Sequence, residues 1–278
     1  MSEERTKDGV QISFVEPSVT EIKQEDLLKH IEYCGRTCYN SLDKMTDTSA
    51  EKFVRNIVAR GHGSVLEHGT VYFVFPREFL PKDTPDGKIQ HSPYSFSVPK
   101  DEYSYYLTTN FRVVAEAFDM DFDKAYDYVR MNGMDCTEHQ RRRTFKIICD
   151  RGIANEAVRH RVFSFSQASQ RYINSTKAGF EFVKPYWWKD SLEVATIVEK
   201  VTQMLFEQEC RNCSASYQAL IECGFTPQQA RGILPNATKT ELVMTGTEKQ
   251  WGEFLVLRTD KVAHPDMQVI ANKIKELL

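Results

Sequence analysis

The sequence predicts a single α+β domain, because strand patterns and amphipathic helix patterns both occur along its 278 residues. β-Branched and aromatic residues dominate the runs 70–75 and 144–150, which is typical of strands. Apolar residues recur at helical spacing over 191–223, which predicts one long helix with a break near Asn212. Neither of the glycine motifs that cradle phosphates occurs, so a Rossmann domain is not expected.

The composition is that of an ordinary globular protein. Hydrophobic residues make up 41% and charged residues 27%, and the net charge of −3 argues against a dedicated nucleic-acid binder. Apolar runs such as 71–75 are far shorter than the roughly 20 residues that span a bilayer. The polar N-terminus lacks a secretory signal, and seven cysteines, an odd number, fit reduced thiols. We therefore expect a cytoplasmic protein without a membrane segment.

The first elements follow from alternation and periodicity. Apolar and polar residues alternate over 10–15, which predicts a strand. The segment 20–39 has one apolar face and is predicted as a helix, with Cys34 and Cys38 one turn apart. Because no second pair of Cys or His follows nearby, these two thiols are assigned to core packing rather than to zinc.

A second helix and a strand follow. Thr48 and Glu51 have the spacing of a capping box, which predicts the start of the helix. Gly61 can adopt the positive φ that ends it. The run 70–75 is the next predicted strand.

Residues 76 to about 142 are predicted to be an insertion. Prolines break up its first half, which is predicted as loops with a short strand near 94–98. Its second half predicts two short helices, 110–118 and 122–131. The insertion could cover an active site, form a subunit contact or do neither, and the sequence leaves these alternatives open.

The second half of the chain contains both types of element. A strand is predicted at 144–150 and a short helix at 152–158, after which 162–172 is predicted as irregular structure. The later predictions are a strand at 180–183, the long helix at 191–223, a helix starting at Thr226, a strand at 237–245, a helix after Gly246 and a terminal helix after His264.

A basic stretch opens with Arg141, Arg142 and Arg143. Seven Lys or Arg residues lie between positions 141 and 161, against Asp150 and Glu156. Local surpluses of this kind bind polyanions, so a nucleic-acid-binding module is one alternative. Aromatic residues are few here and the whole chain is not basic, which favours a small-molecule site instead.

The segment 159–172 is unusually rich in hydrogen-bond donors. It contains three arginines, a histidine, three serines and two glutamines. The rigid guanidinium fork fits phosphates, carboxylates and the carbonyl edges of flat heterocycles. This composition suits an anionic ligand that carries a ring. The order Arg-His-Arg, seven residues, Ser169 and then Gln-Arg-Tyr resembles the signature of the flavin-dependent thymidylate synthases.

Further stretches in the same order strengthen this resemblance. Residues 61–68 resemble the family segment Gly-His-x-Ser/Thr-x-x-Glu-His, and residues 230–235, 257–258 and 263–265 resemble its C-terminal blocks. The resemblance implies an α+β fold with a central, mostly antiparallel sheet flanked by helices. It also implies FAD as cofactor, methylation of dUMP to dTMP with 5,10-methylenetetrahydrofolate and NADPH, and a homotetramer with shared active sites.

The resemblance also implies roles for individual residues. Arg258 matches the family arginine that activates the uracil ring. The residues expected to bind dUMP are Glu156, Arg159, Gln167, Ser169, Gln170, Arg171 and Arg231. The residues expected to bind FAD are His62, Ser64, Glu67, Arg159, His160, Arg161, Gln167, Thr247, Lys249 and Glu253. No metal ligand is expected.

Some positions depart from the family pattern. Glu156 and Gln167 exchange the Gln and Glu that many members carry, Thr247 replaces an Asn, and the histidine after the Leu-Arg block is shifted to His264. These departures motivate a second enzyme alternative, a nucleotide-binding flavoprotein without methyl transfer. A cysteine nucleophile is not expected, because none of the cysteines lies in a motif that contains histidine.

Overall fold

The computed structural model describes residues 4–5, 11–171 and 174–278, so Tyr172 at the end of the donor-rich segment lies outside the described residues. The strands of the described residues are β1 (Glu4–Arg5), β2 (Gln11–Val15), β3 (Ser18–Glu21), β4 (Thr70–Pro76), β5 (Phe96–Pro99), β6 (Ser104–Asn110), β7 (Arg142–Asp150), β8 (Ser164–Gln167), β9 (Phe180–Val183) and β10 (Lys239–Thr247). The α-helices are α1 (Leu27–Cys38), α2 (Ser49–Ala59), α3 (Gly63–Leu66), α4 (Pro85–Gln90), α5 (Phe111–Ala117), α6 (Phe122–Asn132), α7 (Arg151–Ala157), α8 (Ser175–Ala178), α9 (Ile197–Glu222), α10 (Pro227–Ala230), α11 (Glu248–Arg258) and α12 (Pro265–Leu277). Two 3₁₀ turns, Leu42–Lys44 and Arg231–Ile233, complete the list.

These strands form three sheets. The central sheet has the order β3-β7-β10-β8 and is antiparallel throughout. The hairpin sheet, β4-β6-β5, is also antiparallel, whereas the terminal sheet, β1-β2-β9, pairs β2 and β9 in parallel. The predicted α+β class with mostly antiparallel strands is confirmed.

The two faces of the central sheet have different chemistry because side chains alternate along its two long strands. Phe145 and Ile147 on β7 lie beside Met244 and Leu242 on β10, and this apolar face packs against α11 and α12. On the opposite face, Thr144 of β7 lies beside Thr245 of β10, and both are buried. The central sheet therefore has an apolar face that stabilises it and a buried polar face that packs against α1 and α3.

Two predictions failed where a short strand pairs with a distant partner. Residues 20–21 were predicted as the start of a helix, but they belong to β3, and α1 begins only at Leu27 with Asp26 accepting a bond from the N–H of Lys29. Residues 164–167 were predicted as irregular, but they form β8 against β10. Neither strand is long enough to have a local signal of its own.

The segment predicted as an insertion shares a hydrophobic core with the rest of the chain. Its predicted helices are confirmed as α5 and α6, and its short strand as β5, whereas β6 and α4 were not predicted. Phe111 and Phe122 of this segment pack in one cluster with Ile31 of α1 and Val54 of α2. Because β4 pairs with β6, the hairpin sheet and its helices begin at Thr70 rather than at 76.

Other boundaries were sharpened. Helix α9 is continuous through Asn212 and begins at Ile197, where Thr196 and Glu199 form a reciprocal capping box. The predicted cap of α2 is wrong in detail, since the Thr48 side chain makes no capping bond and Glu51 pairs with Arg55 instead. Among the described residues, no helix combines the length and the apolar character needed to cross a bilayer.

Candidate functional site

His68 joins two of the sequence blocks to strand β10. Its Nδ1 lies 2.7 Å from Thr245 Oγ1 and its Nε2 lies 2.9 Å from Ser166 Oγ. His68 closes the block 61–68, Ser166 lies within the donor-rich segment, and Thr245 lies on β10 directly before α11. The structure thus brings parts of the chain that are 98 and 177 residues apart to one place.

The same contacts extend into a buried polar chain. Thr245 Oγ1 lies 2.8 Å from Thr144 Oγ1, which lies 3.2 Å from His30 Nε2. Burial, followed by the charge of Arg142, lowers the pKa of His30 to about 4. Burial, followed by the charges of His30 and Arg142, holds the pKa of His68 well below its usual range. Both histidines are therefore neutral at pH 7, and they hold α1 and the 61–68 loop against the central sheet.

A second group forms where α7 and α11 end. Arg258 Nε donates to His160 Nε2 at 2.8 Å, and Arg258 Nη1 donates to Glu156 Oε2 at 3.3 Å. The guanidinium also reaches the carbonyl oxygen of Glu156 at 3.4 Å. Two short elements therefore fix the direction of Arg258, while its side chain stays 21% exposed and accessible.

The contact with Arg258 defines the state of His160. An arginine Nε–H can only donate, so the Nε2 of His160 must accept and its proton must sit on Nδ1. Burial and the Arg258 charge both lower the pKa of His160. The ring also packs edge-on against Phe254, with centroids 4.8 Å apart. His160 thus orients Arg258 as a neutral acceptor, while the Glu156 carboxylate forms the ion pair with Arg258.

A third group contains the predicted nucleotide-binding residues that follow β8. Ser169 N–H donates to the Cys38 carbonyl at 3.1 Å, and both the backbone N–H and the Nε of Arg171 approach Ser169 Oγ, at 3.4 and 3.5 Å. Gln167 Nε2 donates to Thr240 Oγ1 at 3.4 Å, and Gln170 is half-buried. The end of α1 therefore supports this loop from below.

Arg231 lies near the beginning of α7, in the 3₁₀ turn that follows α10. Burial and the charge of Arg231 lower the pKa of Arg151, the first residue of α7, so the two guanidinium groups are neighbours. Arg231 and Arg258 consequently mark the two ends of α7, a helix whose seven residues span about 10 Å.

The block 61–68 presents part of its side chains to solvent. His62 and Ser64 are exposed, and His62 Nδ1 lies 3.3 Å from the hydroxyl of Tyr39. Glu67 pairs with Arg112 of α5 at 2.7 Å. A Cβ on Gly63 would lie 2.8 Å from Arg112 Nε, so only glycine lets that side chain lie against the loop.

The predicted cofactor residues that follow α7 or lie at the start and middle of α11 differ in exposure. Thr247 is fully buried, and its hydroxyl caps α11 by accepting from the N–H of Gln250 at 3.2 Å. The remaining four are exposed: Arg159, Arg161, Lys249 and Glu253. Among the described residues, no carboxylate lies within 4 Å of the Arg159 or Arg161 guanidinium, so both cations are available to an anionic ligand.

Sequence reasoning missed two arginines of this region. Arg112 reaches Glu67 from the hairpin-sheet segment, and Arg142 donates to the Glu67 carbonyl at 3.0 Å and to Ser164 Oγ at 3.1 Å. Only the triple arginine was visible as a signal, and it suggested nucleic acid. In the structure these arginines do not form one basic surface, because Arg143 pairs with Glu21 and Arg142 bonds to the Glu67 carbonyl and Ser164.

The described residues contain no group of three or more His, Cys, Asp or Glu side chains that could hold a metal ion. All seven cysteines are free thiols. Burial raises the pKa of Cys34 and Cys149 far above the usual range, and burial also raises that of Cys38. These thiols are therefore poor candidates for a nucleophile.

The α+β scaffold thus holds a fixed Glu-His-Arg group, with the exposed Arg159 and Arg161 close to it in sequence. The chain belongs to the thymidylate synthase complementing protein family, whose model matches residues 22–131 and 123–278. It is similar to the flavin-dependent thymidylate synthase of Mycolicibacterium vanbaalenii, with 26% identity over 249 residues, which cover 86% of this chain and 69% of the relative. The Mycobacterium tuberculosis protein of that name is 24% identical with the same coverage. The Geobacter sulfurreducens protein of that name is 31% identical over 128 residues, or 46% of this chain and 52% of the relative.

Proposed function

We propose that this protein is a flavin-dependent thymidylate synthase that methylates dUMP to dTMP, using 5,10-methylenetetrahydrofolate as carbon donor and NADPH-reduced FAD as hydride source. The observation that carries the proposal is the geometry of Arg258, which the neutral ring of His160 and the carboxylate of Glu156 hold in place while its side chain stays partly exposed. The arrangement joins two blocks of the family pattern, because Glu156 and His160 lie at or just before the start of the donor-rich segment and Arg258 belongs to a C-terminal block.

The role of Arg258 follows from the chemistry of uracil. Methylation at C5 needs electron density on that carbon, and the negative charge that develops on the N3/O4 edge must be stabilised. A guanidinium that keeps its proton and is already oriented supplies that stabilisation without reorganisation. Glu156 and His160 are positioning residues in this proposal, since they act through Arg258.

The nucleotide phosphate requires separate cations. Arg171, steadied by Ser169, and Arg231, beside Arg151, are the proposed phosphate ligands. Gln167 and Gln170 would bind the rest of dUMP, with Arg159 near the boundary between nucleotide and cofactor. This division assigns fixed charges to the phosphate at one end of α7 and to the ring at the other.

The residues around the proposed cofactor site fit an anionic dinucleotide. When bound, FAD supplies the hydride that completes the methyl group. Exposed Arg159 and Arg161 offer unpaired positive charge for its phosphates and for the reduced ring, and His160 lies between them. The remaining residues proposed to hold FAD are His62, Ser64, Glu67, Gln167, Thr247, Lys249 and Glu253. Thr247 would contribute through its backbone, since its hydroxyl is occupied as a helix cap.

We further propose a homotetramer with active sites shared between subunits. Val256 and Leu257, next to Arg258, are 74% and 60% exposed, and Ile197 and Val198 at the start of α9 are 80% and 74% exposed. Exposed apolar patches of this size are typical of protein interfaces. A cytoplasmic location is proposed from the free thiols, which persist in reducing compartments.

The proposal is tested by cofactor content and by tritium release. Purified protein should bind FAD, show a flavin absorbance spectrum, and release tritium from 5-tritiated dUMP only when methylenetetrahydrofolate and NADPH are both present. NADPH oxidation with dUMP but without dTMP would instead identify a flavoprotein that lacks methyl transfer. Protein that neither binds FAD nor acts on dUMP would overturn the proposal.

A further inference from the structure

A cavity of about 890 Å³ lies between the edge of the central sheet and the hairpin sheet. Four segments line it: 21–27 between β3 and α1, 70–72 at the start of β4, 129–136 after α6, and 141–144 at the start of β7. None of the residues proposed above for dUMP or FAD lines this cavity. Its volume lies within the range of small-molecule sites, which is roughly 300–1,000 Å³.

The three consecutive arginines at its wall have separate roles. Arg143 is used structurally, because its Nε and Nη2 pair with the Glu21 carboxylate at 2.7 Å and Nη2 also donates to the Leu277 carbonyl. Arg141 is exposed at the mouth of the cavity. Arg142 extends inward, and its partners there are neutral.

Arg142 is the observation that points to a ligand. Its guanidinium donates to the Glu67 carbonyl at 3.0 Å, to Thr70 Oγ1 at 3.3 Å and to Ser164 Oγ at 3.1 Å. Among the described residues, no carboxylate lies within 4 Å of it. Burial lowers the pKa of Arg142 to about 10, which leaves it charged at pH 7. A half-buried charge without an adjacent counter-ion still has a desolvation cost, and an anion in the adjoining cavity would relieve that cost.

The other charged groups that line the cavity also favour an anionic ligand. Once Arg143 and Glu21 are counted as a pair, the remaining cations are Lys23, Arg141 and Arg142, and the remaining carboxylates are those of Glu25 and Asp135. Both carboxylates are exposed, whereas Arg142 is half-buried. The inner end of the cavity is therefore positive, and its mouth carries both signs.

The remaining side chains that line the cavity suit the apolar part of a ligand. Leu27, Val71, Val129 and Met134 line the cavity, and Tyr72 adds a half-buried ring. The side-chain amide of Gln24 bonds to both the N–H and the carbonyl of Thr70 at 2.7 Å, which closes the wall between β3 and β4. The pocket is thus bounded by fixed backbone on that side.

We propose that this cavity binds a small organic anion, with its phosphate or carboxylate group at Arg142 and Arg141 and its ring or other apolar part against Tyr72. The cavity adjoins the site proposed for thymidylate synthesis, because Arg142 also bonds to the Glu67 carbonyl, but its lining is separate and the proposal does not depend on that function.

The test uses two probes on the full-length protein, phenylphosphonate for phosphate esters and benzoate for carboxylates. Binding is measured by titration calorimetry in a chloride buffer, with saturating FAD and dUMP present to fill their own sites. The double variant K23Q/R141Q changes two exposed side chains and is expected to weaken probe binding about tenfold, as loss of charge-assisted contacts does. The matched control K124Q/R130Q removes the same charge from exposed positions of α6 and should bind like the unaltered protein.

Tighter binding of one probe, with the loss confined to the cavity variant, supports the proposal and identifies the ligand class. Arg142→Gln should abolish binding, but it removes buried hydrogen bonds and could unfold the protein, so the double variant carries the test. Absence of binding by the unaltered protein, or equal losses in the cavity and control variants, would overturn it.

Discussion

His160 and His68 belong to two sequence blocks of the same family pattern, yet the structure gives them opposite surroundings. His160 lies at the rim of the site and accepts a hydrogen bond from a charged group, Arg258. His68 is completely buried and is bonded to two hydroxyls, those of Thr245 and Ser166. The comparison separates residues that present charge to a ligand from residues that hold the presenting segments together.

The physical difference lies in how each group meets the cost of burial. The buried chain around His68 consists of neutral groups and gives both ring nitrogens of His68 a partner, which keeps their desolvation cost low, whereas His30 Nδ1 is buried without a partner among the described residues. The group around Arg258 contains a partly exposed ion pair, so water still solvates both of its charges when no ligand is present. Changes in the first group should therefore affect stability, and changes in the second should affect activity.

The largest effect is expected at Arg258. Arg258→Lys keeps the charge but loses the fork that bonds His160 and Glu156, so kcat for dTMP formation should fall about 10²–10³-fold, as when one preorganised donor is removed. The melting temperature should stay close to that of the unaltered protein. Arg55→Gln, at an exposed surface ion pair, is the control and should retain activity. A lysine variant with normal kcat would contradict the proposed role.

Removing the buried ring should instead reduce stability. His68→Leu leaves the hydroxyls of Thr245 and Ser166 without a shared partner, and should lower the free energy of unfolding by about 2–3 kcal/mol. His62→Leu, at an exposed histidine of the same loop, should change it by less than about 0.5 kcal/mol. Urea denaturation measures both, and equal values would show that the buried chain is not what holds the loop.

Acid sharpens the comparison further. His30 and His68 have lowered pKa values in the folded state, so below about pH 6.5 the unfolded chain binds protons that the folded chain does not. Stability is therefore complete at neutral pH and should fall by about 1.4 kcal/mol per pH unit for each histidine as the pH drops toward 4. The slope of unfolding free energy against pH should be smaller in His68→Leu. An unchanged slope would mean that His68 does not contribute to it.

The smallest effect is expected at Arg112, which lies against Gly63 and pairs with half-buried Glu67. Arg112→Gln should loosen the loop that carries His62 and Ser64, and should raise the Kd for FAD about fivefold, since partly exposed ion pairs contribute little. Fluorescence quenching of FAD measures this, and Arg55→Gln again serves as the control. A Kd equal to that of the control would remove Arg112 from the cofactor site.

The sequence predicted the long and periodic elements because their signals are local. The strands β7 and β10 are nine residues each, and their β-branched runs were recognisable without their partners. By contrast, β8 consists of Ser, Phe, Ser and Gln. It forms a strand only because it pairs with β10, which lies some 75 residues later in the chain. Information of that kind is not present within any short window of the chain.

The candidate site divides in the same way. The family pattern pointed to Glu156, His160 and Arg258, and the structure brings these three together. The family pattern could not point to Arg112 or Arg142, because these side chains reach the 61–68 block from other elements. Arg112 lies on α5 and Arg142 at the start of β7. Their contacts depend on how β4 and β6 return the chain to Gly69, where the N–H of Phe111 bonds to its carbonyl.

Helix α7 is short and rigid, and its two ends bear on different charged groups, Arg231 through Arg151 and Arg258 through Glu156. In the proposed enzyme the length of α7 would set the separation between the phosphate site and the uracil site. With the uracil ring at Arg258 and the phosphate of a monophosphate at Arg231, each additional phosphate of a diphosphate or triphosphate would project past Arg231. Selection among uridine nucleotides would then be a property of helix length rather than of any single contact.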